Sequence, residues 1–177
     1  IPRLQQGEVD VQFFSVWVSP TDYTNYFDQA LVMRDLFYSE LAANNSTIEQ
    51  ATTINHALQI NSQNKIAAVI GVEGGHHIEE SIDKLVQLYN AGMRYLTITW
   101  NNSVSWAISA ADSRTTTQGL NNFGRQVIRT LDSLGVIIDV SHVGIKTIQD
   151  ILQETTNPII ASHSGARAVR NHTRNLY

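Results

Sequence analysis

Apolar residues along this chain fall into two rhythms. Short, nearly continuous apolar runs occupy residues 66–72, 94–99, 136–140 and 159–161, and residues 9–18 (VDVQFFSVWV) alternate in part. Continuous runs of this length predict strands covered on both faces, as in a parallel sheet. Between them the apolar positions return at helical spacing. Ile82, Leu85, Val86 and Tyr89 share one face within 79–91, and Gly92 follows as a stop. Leu120, Phe123, Val127, Leu131 and Leu134 repeat before Gly135; Ile145, Ile148 and Leu152 do so before Pro158. Residues 23–43 and 47–62 predict two more helices, broken at Asn44-Asn45-Ser46. The order is strand, helix pair, then strand and helix in alternation, which predicts an α/β fold on a parallel sheet. Residues 101–117 form a long polar loop around Trp106, and a loop of that length after a strand is more often functional than decorative.

A length of 177 residues with 42% hydrophobic content fits one domain with its own core. Net charge is −4, and no Lys/Arg cluster is long enough to track a phosphate backbone, so nucleic acid is not an expected partner. No apolar run approaches the roughly 20 residues that span a bilayer, and no signal segment is visible, which leaves the compartment open. With no cysteine, a metal would have to be held by His, Asp or Glu.

Three of the predicted strands end on a side chain that can bind metal. The run 66–72 is followed by Glu73 and two glycines, GVIIDVSH ends on His142, and PIIASH ends on His163. Active sites of parallel α/β folds sit at the C-terminal edge of the sheet. One carboxylate and two imidazoles are a ligand set for a catalytic zinc, which keeps a position open for water. A carboxylate at a strand end can also bridge two cations. The competing reading of Glu73 is a helix cap or a surface ion pair, and that of each histidine is a hydrogen-bonded structural residue. Ser141 and Ser162 precede the two histidines and are suited to support them; Asp139 suits the same task or a buried pair with an arginine. His76 and His77 read as loop or helix-start residues, because adjacent rings seldom reach one metal. His56 and His172 read as solvated. Arg167, Arg170 and Arg174 follow His163, where an arginine can hold a substrate carboxylate in a fork, although a solvated charge is the default.

Taken together, these segments resemble the renal (membrane) dipeptidase family, zinc dipeptidases of the metal-dependent hydrolase superfamily. The resemblance rests on GEVDVQFFSVWV (7–18), VIGVEGGH (69–76), GMRYLTIT (92–99), GLNNFG (119–124), LGVIIDVSHV (134–143) and PIIASHS (158–164), in order and at similar spacing. It implies a TIM-like (β/α)8 barrel with two zinc ions, of which about five strands are expected here. It further implies that Glu73 bridges the metals, that His142 and His163 bind one of them, and that Arg174 holds the C-terminal carboxylate of a small peptide substrate. A metal-bridging hydroxide is the expected nucleophile. A second copy of the chain is allowed as a partner.

The family also has a His-x-Asp pair on its first strand and a late aspartate that handles the proton. Residues 1–177 are therefore expected to be a partial barrel domain, the middle of a longer polypeptide, and inactive by themselves. Where the well-studied dipeptidases carry a substrate-contacting histidine, this chain has Trp100, which can donate a hydrogen bond but cannot become cationic. Loss of one oxyanion donor typically costs about 10²–10³ in rate, unless Trp100, Asn101 or Asn102 compensates. The alternatives are thus a non-catalytic metal-binding relative, or a hydrolase of another small amide or lactone.

Overall fold

In the structure of the protein, a computed structural model, residues 1–176 are described. The elements are α1 (Pro2–Gln6), β1 (Val11–Val16), α2 (Tyr26–Ala43), β2 (Ile48–Gln50), α3 (Ile54–Asn61), β3 (Ile66–Glu73), α4 (Ile82–Asn90), β4 (Met93–Thr97), α5 (Asn122–Leu134), β5 (Ile137–Asp139) and α6 (Ile145–Glu154), with a 3₁₀ turn at Gly75–Ile78. All five strands are parallel, in the order β1-β3-β4-β5, and β2 pairs with the first three residues of β3. Parallel neighbours need crossovers, and the helices supply them.

Because β3 has partners on both edges and cover on both faces, it has to be apolar nearly throughout, as residues 66–72 are. Alternation then sorts its side chains. Ile70 and Val72 join Val16, Leu96, Ile98, Ile138 and Val140 in one core with Leu85 and Leu88 of α4, Val127, Ile128 and Leu131 of α5, and Ile151 of α6. On the other face Phe13 meets Tyr95, ring centroids 5.4 Å apart. One step further along the strands, Glu73 lies opposite Thr97 and Thr97 opposite Asp139. A polar row thus crosses three strands at their C-terminal ends.

The helices start and stop where their sequences say they should. Asn121 caps α5, its side chain accepting from Gly124 N at 2.9 Å, and Gly135 ends the helix in the left-handed region at φ 67°. Ser81 and Thr53 cap α4 and α3 in the same way. No helix among the described residues is long and apolar enough to cross a membrane.

Two expected elements come out differently. Residues 47–62, read as one helix, begin with β2, because Ile48 packs on Ile66 and Ala68 along the lower end of β3. Residues 159–161 reach the sheet as a single bridge, Ile160 to Asp139, and not as a strand. Pro158 has no N–H to extend the ladder, and the N–H of Ser162 turns to the Asp139 carboxylate at 2.9 Å.

Candidate metal centre

Glu73 is the last residue of β3, and the backbone leaves the sheet immediately after it. Gly74 takes φ 108°, and a Cβ on Gly75 would lie 2.4 Å from Trp106 and 2.6 Å from the Ile98 carbonyl. Only glycines allow this abrupt turn, and it leaves the Glu73 carboxylate at the sheet edge. His142 follows β5 at φ 64°, a left-handed backbone that non-glycine residues seldom adopt. The conformation is held through its carbonyl, which accepts from Ala110 N at 2.7 Å and from Thr99 Oγ1 at 3.0 Å. His163 comes from the segment bridged to Asp139.

These three side chains converge. The His142 and His163 Nε2 atoms are 2.8 Å apart, and they lie 3.3 and 3.4 Å from Glu73 Oε1. The other ring nitrogens fix the tautomers. His142 Nδ1 is 2.9 Å from Asn101 Oδ1, an acceptor, so it carries the proton. His163 Nδ1 is 2.7 Å from Ser162 Oγ, whose own proton goes to Asp139 Oδ2 at 2.7 Å, so it too donates. Both Nε2 atoms therefore present lone pairs to one another and to a carboxylate. Three acceptors facing one point need a cation between them. A proton satisfies one pair, whereas a metal ion satisfies all three, and one ligand atom from each residue lies within 4.8 Å of the others. The residues present thus fit a zinc-type ion.

Buried Asp139 has no arginine partner among its described bonds. It accepts from Thr97 Oγ1, Ser141 N, Ser162 N and Ser162 Oγ. Arg174 reaches the centre, with Nη1 3.3 Å from His142 Nε2, while Arg167 bonds Asn171. A cleft of about 240 Å³ opens between Asn101, His142, His172 and Arg174. Trp100 stands at the rim, 6.2 Å from the His142 ring and 5.1 Å from that of Trp17. Asn101 has its carboxamide oxygen committed to His142. Trp106, inside the long loop, is a buried core residue packed against Phe123, while Asn101 and, further along the loop, Ala110 and Ala111 adjoin the centre.

The remaining histidines serve elsewhere. His76 and His77 lie in the 3₁₀ turn, and both are buried. His77 accepts from Val18 N at 3.1 Å and donates from Nδ1 to Gly74 O at 2.7 Å; His76 donates to Val18 O at 3.0 Å. Burial pushes the His77 pKa down to about 3 and lowers that of His76. His172 is exposed and His56 half-buried. Thr97 and Ser15, the latter 3.5 Å from Glu73 Oε2, adjoin the centre without having been singled out from sequence. Their only signal is strand alternation, which puts Thr97 on the face of Tyr95 and Ser15 on that of Phe13.

Comparison with known proteins agrees with this geometry. Residues 1–177 match the family described as membrane dipeptidase (peptidase family M19). Dipeptidase 3 of Homo sapiens is 37% identical over 181 residues, which cover 99% of this chain and 36% of that protein; its Mus musculus counterpart is 34% identical over the same shares. Among solved structures, an amidohydrolase from Pseudomonas aeruginosa superposes with a TM-score of 0.89 at 19% identity, covering 99% of this chain and 51% of that one. A metallopeptidase from Rhodobacter sphaeroides, liganded with a phosphinate mimic of the dipeptide L-Ala-D-Ala, gives 0.86 at 24% identity over 99% and 58%. The chain spans about a third of the length of the curated relatives it matches, and it shares the α/β fold of the solved metal-dependent hydrolases. On the family match over residues 1–177, the chain belongs to the membrane dipeptidase family, peptidase family M19.

Proposed function

We propose that the protein containing this chain hydrolyses dipeptides with zinc, and that Glu73, His142 and His163 hold metal. The carrying observation is the convergence of two Nε2 atoms and a Glu73 carboxylate oxygen on one point. Zinc bound there supplies Lewis-acid activation of water and of the scissile carbonyl. Glu73 Oε1 serves the imidazoles while Oε2 neighbours Ser15, so the same carboxylate has a second oxygen for a second ion. Arg174 lines the adjoining cleft, where its planar fork suits the C-terminal carboxylate of a short peptide. That cleft admits only a small ligand. The match to 36% of dipeptidase 3 and 51% of the amidohydrolase supports reading residues 1–177 as part of a larger barrel domain.

The test is dipeptide hydrolysis by the zinc-loaded full-length protein. Arg174→Lys keeps the charge but loses the fork, so kcat/KM should fall much more for free dipeptides than for C-terminally amidated ones. Equal losses on both would remove Arg174 from substrate binding.

A second reading rests on Trp100. With an indole beside His142, the donors available to a developing oxyanion are the neutral N–H groups of Trp100 and Asn101, since the Asn101 oxygen accepts from His142, and a neutral donor steadies an oxyanion less than a cationic one. On this reading the protein binds zinc and a peptide but turns over slowly or not at all, or acts on another small amide or lactone. Trp100→His distinguishes the two. A gain of about 10²-fold in kcat supports the weakened-donor reading, and an unchanged or lower kcat supports a working site with Trp100 in it.

A further inference from the structure

The two histidines of the centre are held from behind by different groups: His142 by a neutral carboxamide, His163 by a hydroxyl backed by a buried carboxylate. We propose that Asp139 is a positioning residue of the metal centre. It ties the His142 and His163 turns together and, through Ser162, fixes His163 in the tautomer that presents its Nε2 lone pair to the ion. The inference rests on the metal-binding reading of Glu73, His142 and His163.

Asp139 is fully buried, and its two oxygens divide the work. Oδ1 accepts from the backbone N–H groups of Ser141, at 3.1 Å, and Ser162, at 2.9 Å. These residues immediately precede the two histidines, so one oxygen sets the distance between two turns from different segments. Oδ2 accepts from Thr97 Oγ1 and Ser162 Oγ, both at 2.7 Å. A carboxylate only accepts, so the Ser162 proton must point at Asp139, and the Ser162 oxygen is left to accept from His163 Nδ1 at 2.7 Å. Donation runs one way, from His163 to Ser162 to Asp139. A second tie has the same sense, because His163 N donates to Ser141 Oγ at 2.9 Å. Backbone N–H groups alone would be satisfied by an asparagine oxygen. The two hydroxyl donors on Oδ2 are what demand a carboxylate. Support of this kind behind a ligating imidazole fixes ring orientation and raises its basicity.

Zinc affinity of the full-length protein, measured by chelator competition, and the imidazole ¹⁵N shifts of His163 in the metal-free protein test the proposal together. Ser162 is exposed, so Ser162→Ala leaves the core untouched. It should lower zinc affinity about 10- to 100-fold and populate the Nε2–H form of His163, and Ser162→Thr should restore both. Asp139→Asn offers an N–H₂ where two hydroxyls need an acceptor, so its loss should be at least as large. Should that variant fail to fold, the two Ser162 variants decide alone. Unchanged affinity and tautomer in Ser162→Ala would overturn the role of Asp139 while leaving the metal centre standing. A parent protein that binds no zinc would overturn both, and the two failures are told apart by the parent's own titration.

Discussion

His76 and His77 stand beside each other in sequence with ring centroids 4.1 Å apart, while His142 and His163 come from segments 21 residues apart and bring their rings to 4.8 Å. Both pairs lie just past the C-terminal ends of strands. The first pair clamps the backbone: Val18 gives its N–H to His77 and its carbonyl to His76, and Gly74 accepts from His77. This clamp fixes the exit of β1 against the turn after β3. In the second pair the Nδ1 atoms are bound by Asn101 and Ser162, and the Nε2 atoms face a carboxylate, with Arg174 Nη1 3.3 Å from that of His142. What separates a structural histidine from a metal-binding one here is not burial, since His142 and His77 are both buried. It is what the ring edge faces: the Nε2 atoms of His142 and His163 meet each other and a carboxylate, whereas both nitrogens of His77 are bound to backbone and His76 Nδ1 is buried without a partner.

The largest effect should come from removing a converging ring. His142→Ala or His163→Ala should reduce zinc affinity beyond the roughly 10–100-fold that loss of a supporting hydrogen bond costs, with the metal-free melting temperature little changed. Zinc retained in both variants would break the distinction. His77→Ala should do the reverse. It orphans the Val18 N–H at about 1–3 kcal/mol, while the Gly74 carbonyl keeps its bond from the backbone N–H of residue 77 at 3.3 Å; calorimetry should show about 2–4 °C lost in Tm per kcal/mol, with zinc bound per folded molecule maintained.

A smaller effect is a pH dependence confined to the clamp. Burial foremost, then the neighbouring His76, lower the His77 pKa to about 3, against the raising influence of its bond to Gly74 and of Glu73 and Glu79. The unfolded chain therefore takes up a proton near pH 6.5 that the folded chain refuses. Stability is constant above about 6.5 and falls as the pH drops towards 3, by at most ~1.4 kcal/mol per pH unit from this group. Urea titrations should give a shallower acid slope for His77→Gln than for the parent; identical slopes would mean that His77 takes no part. Smallest of all is His56→Ala. The His56 side chain is 40% exposed and 3.4 Å from Glu49 Oε1, so stability should shift within about ±0.5 kcal/mol and zinc binding should not respond.

Much of this arrangement is legible in the chain. The apolar run 66–72 had to be a doubly covered strand, and helical periodicity with Gly92 and Gly135 at the ends marked α4 and α5. Glu73, His142 and His163 stood out because each closes an apolar run, a local property that alternation and length express directly. β2 was not legible, since three residues carry no period of their own and owe their conformation to an edge of β3. Nor was the loss of a strand at 159–161, where the competing partner for the Ser162 N–H is a carboxylate 23 residues away.

The sequence by itself therefore determined the order of strands and helices, the edge at which polar side chains emerge and the supply of ligand-type residues, because these follow from periodicities within a dozen residues. Only the tertiary structure decided which histidines converge. It also decided that Asp139 meets two hydroxyls and two backbone N–H groups in place of an arginine, and that Arg174 reaches His142. Those outcomes depend on strand register and on which donors and acceptors are left over after the sheet and helices have formed, and no local pattern encodes that remainder.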